Sequence, residues 1–430
     1  MKYRLLALLL ICFVLVHCRK EDQFDDEFPA ISVPGDPIPD PQNQPIPVIT
    51  ATSIPCDNGF AGEYPCSNYT LLNRVALSVF DSSDANDNWG WKDPETNKEY
   101  VLQGLDDGVG FLDISNPAAV RYIGKLPTAS DPSIWRDIKV FNNHAFIVSE
   151  AGGHGLQVFD LTRLRNQTER QTFTADAHLT SFGRAHNIAI NETSGFAYVI
   201  GARTGSTFNY SGGPIFIDIN NPTQPIEVGG YADSSYTHDA QVVTYNGPDQ
   251  DYTGRELLFG SNSDGGENNQ VVVVDVTDKS APRLISSISY SNGGYTHQGW
   301  IDDEHHYFYL GDELDEVNYG NQTRTLVFDM SDLDNLRLHH TYIGTTNAID
   351  HNGYTHESRY YQASYTAGFR EIDISDIQNQ RMQEVGFFDT YPENNRATFD
   401  GVWNVYPFFE SGVIAISDTS RGLFLVQRSN

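Results

Sequence analysis

The sequence predicts an all-β fold, a seven-bladed β-propeller whose last blade is closed by an N-terminal strand. Three observations lead there. A short apolar pattern ending in Asp recurs down the chain. Short β-forming runs and turns alternate between its copies. The last copy is followed by no further strand, while a spare strand precedes the first unit.

The recurring pattern reads GVGFLDIS at Gly108–Ser115, GLQVFDLT at Gly155–Thr162 and GPIFIDIN at Gly213–Asn220. It returns as QVVVVDVT at Gln270–Thr277, RTLVFDMS at Arg324–Ser331 and GFREIDIS at Gly368–Ser375. A seventh copy, GLFLVQ at Gly422–Gln427, lacks the Asp. The closing positions are 113, 160, 218, 275, 329, 373 and 427, at intervals of 44 to 58 residues. A strand-based repeat of that length signals a propeller or an array of small β units.

Each unit parses into four strands, A to D, with A nearest the axis. In the second unit these are Asp137–Phe141, His144–Ser149, Gly155–Leu161 and Arg170–Thr174. In the third they are Asn187–Asn191, Phe196–Gly201, Ile215–Ile219 and Ile226–Tyr231. Val, Ile, Phe and Tyr fill the runs, and Gly, Asn, Asp and Pro break them, as strands and hairpins require.

The last unit supplies only A (Gly401–Val405), B (Val413–Ser417) and C (Gly422–Gln427). The orphan strand Leu72–Val79 precedes the first A strand at Asn88–Trp91. Pairing that orphan with Gly422–Gln427 closes the ring and leaves no open sheet edge. An open β-solenoid gives no reason for the two ends to complement each other.

The N-terminus reads as an export signal. Lys2 and Arg4 precede the apolar run Leu5–Val16, which is too short to span a bilayer. It ends at Leu15-Val16-His17-Cys18, which resembles a bacterial lipobox with Cys18 as the lipidated residue and His17 in place of the usual small side chain. The predicted organisation is a lipoprotein-type signal at 1–18 and an acidic, then Pro-rich, tether at 19–55. A Cys-paired lead-in at 56–71 and the propeller at 72–430 follow. Pro29 to Pro55 holds eight of the 20 prolines, the composition of a stiff spacer. Cys56 and Cys66 are the only cysteines after the anchor candidate, so in an exported chain a disulfide is favoured over a metal role. The expected location is the bacterial cell envelope, as an outer-membrane or cell-surface lipoprotein touching the membrane only through its lipid anchor.

Lys and Arg total 27 against 57 Asp and Glu, a formal net charge of −30. Such a surface repels phosphate backbones and argues against nucleic acid as a partner. Excess carboxylates suit solubility, or divalent cations such as calcium.

Several segments are similar to the choice-of-anchor B family, exported bacterial proteins with LVIVD-type repeats. They are CDNGFAGEYPCSN at 56–68, NWGWKDPETNKEY at 88–100 and YTHDAQVVTYNGPDQDYTGRE at 236–256. YTHQGW at 295–300, GDELDE at 311–316 and FFDTYPE at 387–393 belong with them. The resemblance runs from Cys56 to the C-terminus. It implies a surface-displayed β-propeller and no particular activity. This chain departs from the repeat at Gln427, where the Asp is missing.

Aligned by the repeat, the A strands begin Arg136-Asp137-Ile138, His186-Asn187-Ile188, His238-Asp239-Ala240 and His297-Gln298-Gly299. His351-Asn352-Gly353 and Phe399-Asp400-Gly401 complete the set. Four consecutive blades thus place a His in one register, and symmetry sets the four on an arc about the axis. Side chains alternate along a strand, so only one of the two positions is expected to face the channel. The candidate metal set is His186, His238, His297 and His351 with Asp137, Asp239 and Asp400. Imidazole with carboxylate suits zinc or manganese, and an all-oxygen shell suits calcium. The competing reading makes each His a structural device that bonds backbone in the next blade.

The B-to-C loops fall on the same rim and carry His154, Asp264, Glu267, Asp312, Glu313 and Asp315, which with Trp300 form the predicted ligand face. The five Trp residues lie at or near A-strand starts, as wedges between blades or as platforms for sugar rings. No nucleophile elbow, phosphate-cradling Gly loop or HExxH motif is present in the sequence. Two functions remain in view. One is non-catalytic binding of an extracellular protein or glycan. The other is metal-dependent catalysis on an extracellular polymer at the His arc.

Overall fold

The computed structural model describes residues 44–233, 235–263 and 268–429, all within the structural unit Pro39–Asn430. Cys18, the signal segment and the first part of the tether lie outside the described residues, as do Asp264 and Glu267.

Seven four-stranded antiparallel units follow one another round a ring. Their A strands are Ala85–Lys92, Arg136–Phe141, Asn187–Asn191, Thr237–Thr244, Thr296–Ile301, Gly353–His356 and Val402–Tyr406. Each A strand neighbours the next blade, and blade 7 returns to blade 1. Apolar clusters fill the wedges between blades. Phe111 of blade 1 stacks on Phe159 of blade 2 at 4.7 Å, and Phe259 of blade 4 on Phe308 of blade 5 at 6.0 Å. Such offset aromatic contacts add to what burial alone contributes.

The repeat's Asp has one job, repeated six times. Asp113, Asp160, Asp218, Asp275, Asp329 and Asp373 each end a C strand. Each accepts the backbone N–H two residues on, at 2.9–3.1 Å. This is an Asx turn, which starts the C-to-D connection. Gln427 has no such turn to start, because its partner D strand comes from elsewhere.

That partner is Tyr69–Val75, which pairs antiparallel with Gly422–Arg428, Leu423 opposite Val75 and Gln427 opposite Thr70. The closing strand therefore begins three residues earlier than expected and stops at Val75, where Leu77–Phe80 turns helical.

Three other expectations are corrected. The D strand of blade 2 is Ala177–Leu179, paired with Leu156–Val158, not Arg170–Thr174. The earlier stretch is drawn onto blade 1, where Gln171 and Thr172 run parallel to Gly124 and Lys125. Gly124 permits this, since a Cβ there would lie 2.1 Å from the Gln171 carbonyl oxygen. Arg165 anchors the same connection through Asp93, Nη2 to Oδ1 at 2.6 Å. Secondly, the end of the expected tether is not free spacer. Val48–Thr50 pairs with the outer edge of blade 1 at Ala119–Arg121. Thirdly, alternation fails at several A-strand starts. Bulges lie between Ala85 and Asn88, Thr237 and Asp239, Thr296 and Gly299, and Val402 and Asn404. A bulge breaks the two-residue period and re-aims side chains, so consecutive positions both line the channel.

The lead-in folds as a hairpin, Phe60–Ala61 with Tyr64–Ser67, on the outer edge of blade 6, Cys66 opposite Phe388. A disulfide joins Cys56 to Cys66.

Candidate functional site

The channel has two distinct ends. At one, the four histidines form a continuous arc. Ring centroids are 4.3 Å apart for His186 and His238, 4.4 Å for His238 and His297, and 4.4 Å for His297 and His351. Trp403 extends the arc from His351 at 4.7 Å. The blade 7 equivalents are thus Trp403 and Asn404, not Phe399 and Asp400. Asp400 is exposed and accepts a bond from Thr398 Oγ1 at 3.0 Å, outside the arc. The bulge beside Asn404, and an indole where the other blades have imidazole, displace the register by four residues.

Backbone carbonyls hold two of the four rings. His238 Nδ1 donates to the His297 carbonyl at 3.0 Å, and His351 Nδ1 to the Trp403 carbonyl at 2.5 Å. These are the blade-to-blade bonds of the structural reading. They also fix the tautomer so that Nε2 carries the free lone pair, which is how metal-ligating histidines are oriented. One geometry serves both roles. Tyrosines cover the arc, Tyr295 edge-on to His238 at 4.9 Å and Tyr365 edge-on to His351 at 5.0 Å. The recurring Tyr-Thr-His at 236–238 and 295–297 carries a sequence trace of this.

Two carboxylates reach the arc from B-to-C loops. Glu150, which sequence reasoning missed, bonds His186 Nδ1. Burial works to lower the His186 pKa, and the Glu150 charge more than offsets it, so the imidazole is raised while Glu150 is lowered. Glu313 lies between two histidines, Oε2 at 3.5 Å from His297 Nε2 and Oε1 at 3.8 Å from His351 Nε2. Tyr365 donates to Glu313 Oε1 at 3.0 Å. Donor atoms of His297, Glu313 and His351 all lie within 4.8 Å of one another.

Burial holds His238 and His297 well below the usual imidazole range, helped by neighbouring histidines, and takes His351 to about 3. Burial also lifts Glu313 to about 7. Three neutral imidazoles and a carboxylate suit zinc or manganese better than calcium. A void of about 20 Å³, lined in part by His186, His297, His351 and Trp403, lies against the arc, room for one water or ion and nothing larger.

Further along the axis, the Asp/Asn/Gln position forms an inter-blade belt. Asp137 Oδ2 accepts Ile188 N–H at 2.7 Å, and Gln298 Oε1 accepts Gly353 N–H at 2.9 Å. Asn187 donates to the His238 carbonyl at 3.1 Å, and Asn404 to the Asn88 carbonyl at 2.8 Å. The repeated amide and carboxylate side chains therefore staple neighbouring blades.

Beyond the belt the channel widens to a cavity of about 360 Å³. Trp89, Trp300 and Tyr354 wall one side, with Trp300 and Tyr354 edge-to-face at 4.9 Å. Asp239, Asn187 and Lys139 are among the polar lining. Lys139 is paired with Asp137 at 2.5 Å and sits 4.6 Å over the Trp89 ring. Burial, and then repulsion from Asp137, lifts Asp239 to about 7. Trp300 thus belongs to this cavity rather than to the loop-rich end.

The other predicted face residues are enclosed. His154 is fully buried, its Nε2 accepting from Arg136 at 3.0 Å while Nδ1 donates to the Gly155 carbonyl. Burial and the adjacent guanidinium lower its pKa to about 4. Asp312 is also buried and accepts N–H bonds from Gly294 and Tyr295. Asp315 is buried with Glu316, which the sequence places on the same acidic loop, and with Asp350, which sequence reasoning missed. Burial, and then Asp350, push Glu316 up to about 12.

The LVIVD repeat family matches residues 211–233 and 265–289, and such repeats occur in β-propeller proteins. No curated protein matches the chain. Among solved structures, the β-propeller domain of Cps50 (Swd1) from Myceliophteria thermophila is similar, with TM-score 0.53 and 10% identity. The match covers 84% of this chain and 100% of that one. A protein from Lactobacillus plantarum aligns with TM-score 0.49 and 10% identity, over 78% of this chain and 89% of that one. At this identity the first likeness concerns the fold alone.

Proposed function

We propose that this chain is a surface-tethered, non-catalytic propeller that binds an extracellular glycan in its aromatic-walled cavity. The cavity carries the reading. Its volume of about 360 Å³ is that of a small-ligand site. Trp300 and Tyr354 offer apolar ring surface, and Asp239 and Asn187 offer fixed polar groups, the combination that suits a sugar ring and its hydroxyls. The His end, with about 20 Å³, has no room for a sugar unit. The lipobox-like Cys18, the Pro-rich stretch and the disulfide support display outside the cell, and the repeats with the Cys56–Asn68 segment support choice-of-anchor B membership.

Tryptophan fluorescence tests this. Neutral oligosaccharides of several linkages are titrated into the wild type, Trp300→Ala and Asp239→Asn. Saturable quenching in the wild type, weakened at least tenfold in both variants, is expected. Unchanged fluorescence up to about 10 mM of every saccharide, where only the weakest binding would remain, overturns it.

The close approach of His297, Glu313 and His351 favours a second reading, a zinc or manganese centre that polarises a bond in a polymeric substrate. Elemental analysis with and without chelator decides it. Stoichiometric metal lost in His297→Ala and His351→Ala supports a centre, and metal-free wild type removes it.

A further inference from the structure

Two arginines stand opposite each other on the rim of blade 3, at the His end. Arg184 precedes the A strand and Arg203 follows the B strand. Arg184 N–H donates to the Arg203 carbonyl at 3.0 Å, and Arg203 N–H to the Arg184 carbonyl at 2.8 Å, so the two are direct antiparallel partners. Residues paired this way carry their Cβ atoms on one face, about 5 Å apart, where like charges destabilise. The chain has 57 Asp and Glu against 27 Lys and Arg. Even so, neither guanidinium forms a hydrogen bond or ion pair among the described residues, and Arg184 Nε is buried. Glu150 lies in the field of both, but its carboxylate bonds His186 Nδ1. Phe208, on the hairpin that follows, carries the Arg203 guanidinium over its ring at 3.9 Å and packs on Tyr236 at 5.2 Å. A stacked guanidinium keeps its N–H edge available to an acceptor.

A buried charged donor without a partner is unfavourable, and so is a like charge directly opposite it. One oxyanion shared by the two guanidiniums removes both penalties. We propose that Arg184 and Arg203 form an oxyanion site on the His-end rim of blade 3, taking a carboxylate or sulfate group. Guanidinium forks bond such groups through paired, charge-assisted N–H donors, which a lone ammonium does not offer. The site is separate from the aromatic-walled cavity, which lies beyond the inter-blade belt. It gives a chain of net charge −30 a local preference for anions.

The test uses the full chain with isotope-labelled arginine, following side-chain Nε–H resonances by nuclear magnetic resonance. Sodium sulfate or sodium galacturonate is added at an ionic strength held constant with sodium chloride. Arg184→Gln and Arg203→Gln identify the two resonances by their loss. In the wild type both are expected to shift saturably. In each variant the affinity read at the remaining arginine is expected to fall at least tenfold. Both variants are expected to fold, with thermal midpoints at low salt no lower than the wild type, because each removes one of two opposed charges. A response to only one salt names the anion and supports the site. Trp300→Ala, which disables the cavity, is expected to keep the response. Resonances that stay still in both salts, or drift linearly with every other arginine, overturn the proposal. So does an affinity unchanged in both variants, and a response lost in Trp300→Ala, which places the anion in the cavity.

Discussion

Leu423 and Val75, from opposite ends of the chain, are direct antiparallel partners inside one blade. The ring is therefore held shut by a noncovalent seam. Removing residues up to and including Val75 strips blade 7 of its outer strand and leaves Gly422–Arg428 as an exposed apolar edge. The expected outcome is loss of the cooperative unfolding transition and a shift to aggregates, read by calorimetry and size-exclusion chromatography. Unfolded edges of that kind pair with other chains.

Asn404 tests the inner belt. It is fully buried, donates to the Asn88 carbonyl and Oδ1, and accepts from Tyr354 Oη at 2.9 Å. Asn404→Ala orphans several buried groups and is expected to destabilise by about 2–3 kcal/mol. Asp400→Ala, at an exposed site, is expected to stay within about 0.5 kcal/mol of the wild type. Urea denaturation compares the two. The reverse order would restore Asp400 to the axial register.

Asp239 gives the apo protein a pH dependence. Its pKa is about 7 folded, against an ordinary 3.8, because of burial and then Asp137, with Lys139 and His186 opposing. The folded state holds a proton between these values that the unfolded chain has released. The stabilisation from this group is therefore full in mild acid, is lost as pH rises from about 4 to 7, and is flat above, while the lowered pKa values of His154, His238, His297 and His351 act in the opposite sense below about 6.5. The slope expected from this group is about 1.4 kcal/mol per pH unit at most. Glu313, also lifted to about 7, adds to the fall over the same window. The stability of the wild type relative to Asp239→Asn is expected to fall between pH 5 and pH 8, measured by denaturation in chelator. An unchanged slope would contradict the assignment.

The Cys56–Cys66 bridge closes a short loop, with a sequence separation of 10. Chain-entropy reasoning assigns it about 2–3 kcal/mol. Replacing both residues by Ser is expected to release the hairpin Phe60–Ala61 and Tyr64–Ser67 from blade 6. Hydrogen exchange should then rise at Cys66 and Phe388, and stay unchanged in blade 3.

The architecture was legible because one physical need recurs in every blade. A C strand must hand over to a turn, and the Asp that accepts the turn's N–H marks it, as at Asp218 and Asp329. The split blade was legible because Gln427 breaks that rule where no turn follows. The D strand of blade 2 was not, since Gln171 and Thr172 are strand-like by composition and choose their partner through Gly124 and Arg165. The four histidines were readable by register. Glu313 fell in a predicted loop, but its place between His297 and His351 depends on two blades meeting. Asp315 was expected on the ligand face, and burial beside Arg324 encloses it instead. Sequence periodicity reports faces of a strand and is silent about bulges, which is why both positions of the pair His297-Gln298 reach the channel.

The segment leading into the ring touches three blades in order. Val48–Thr50 lies on blade 1, Tyr64–Ser67 on blade 6, and Tyr69–Val75 within blade 7 between them. Tension applied upstream of Val48 therefore meets these attachments in series. Blade 1 pairing carries the load first, the disulfide-locked hairpin on blade 6 second, and the seam last. A propeller hauled from that side slackens its straps before its ring is asked to hold.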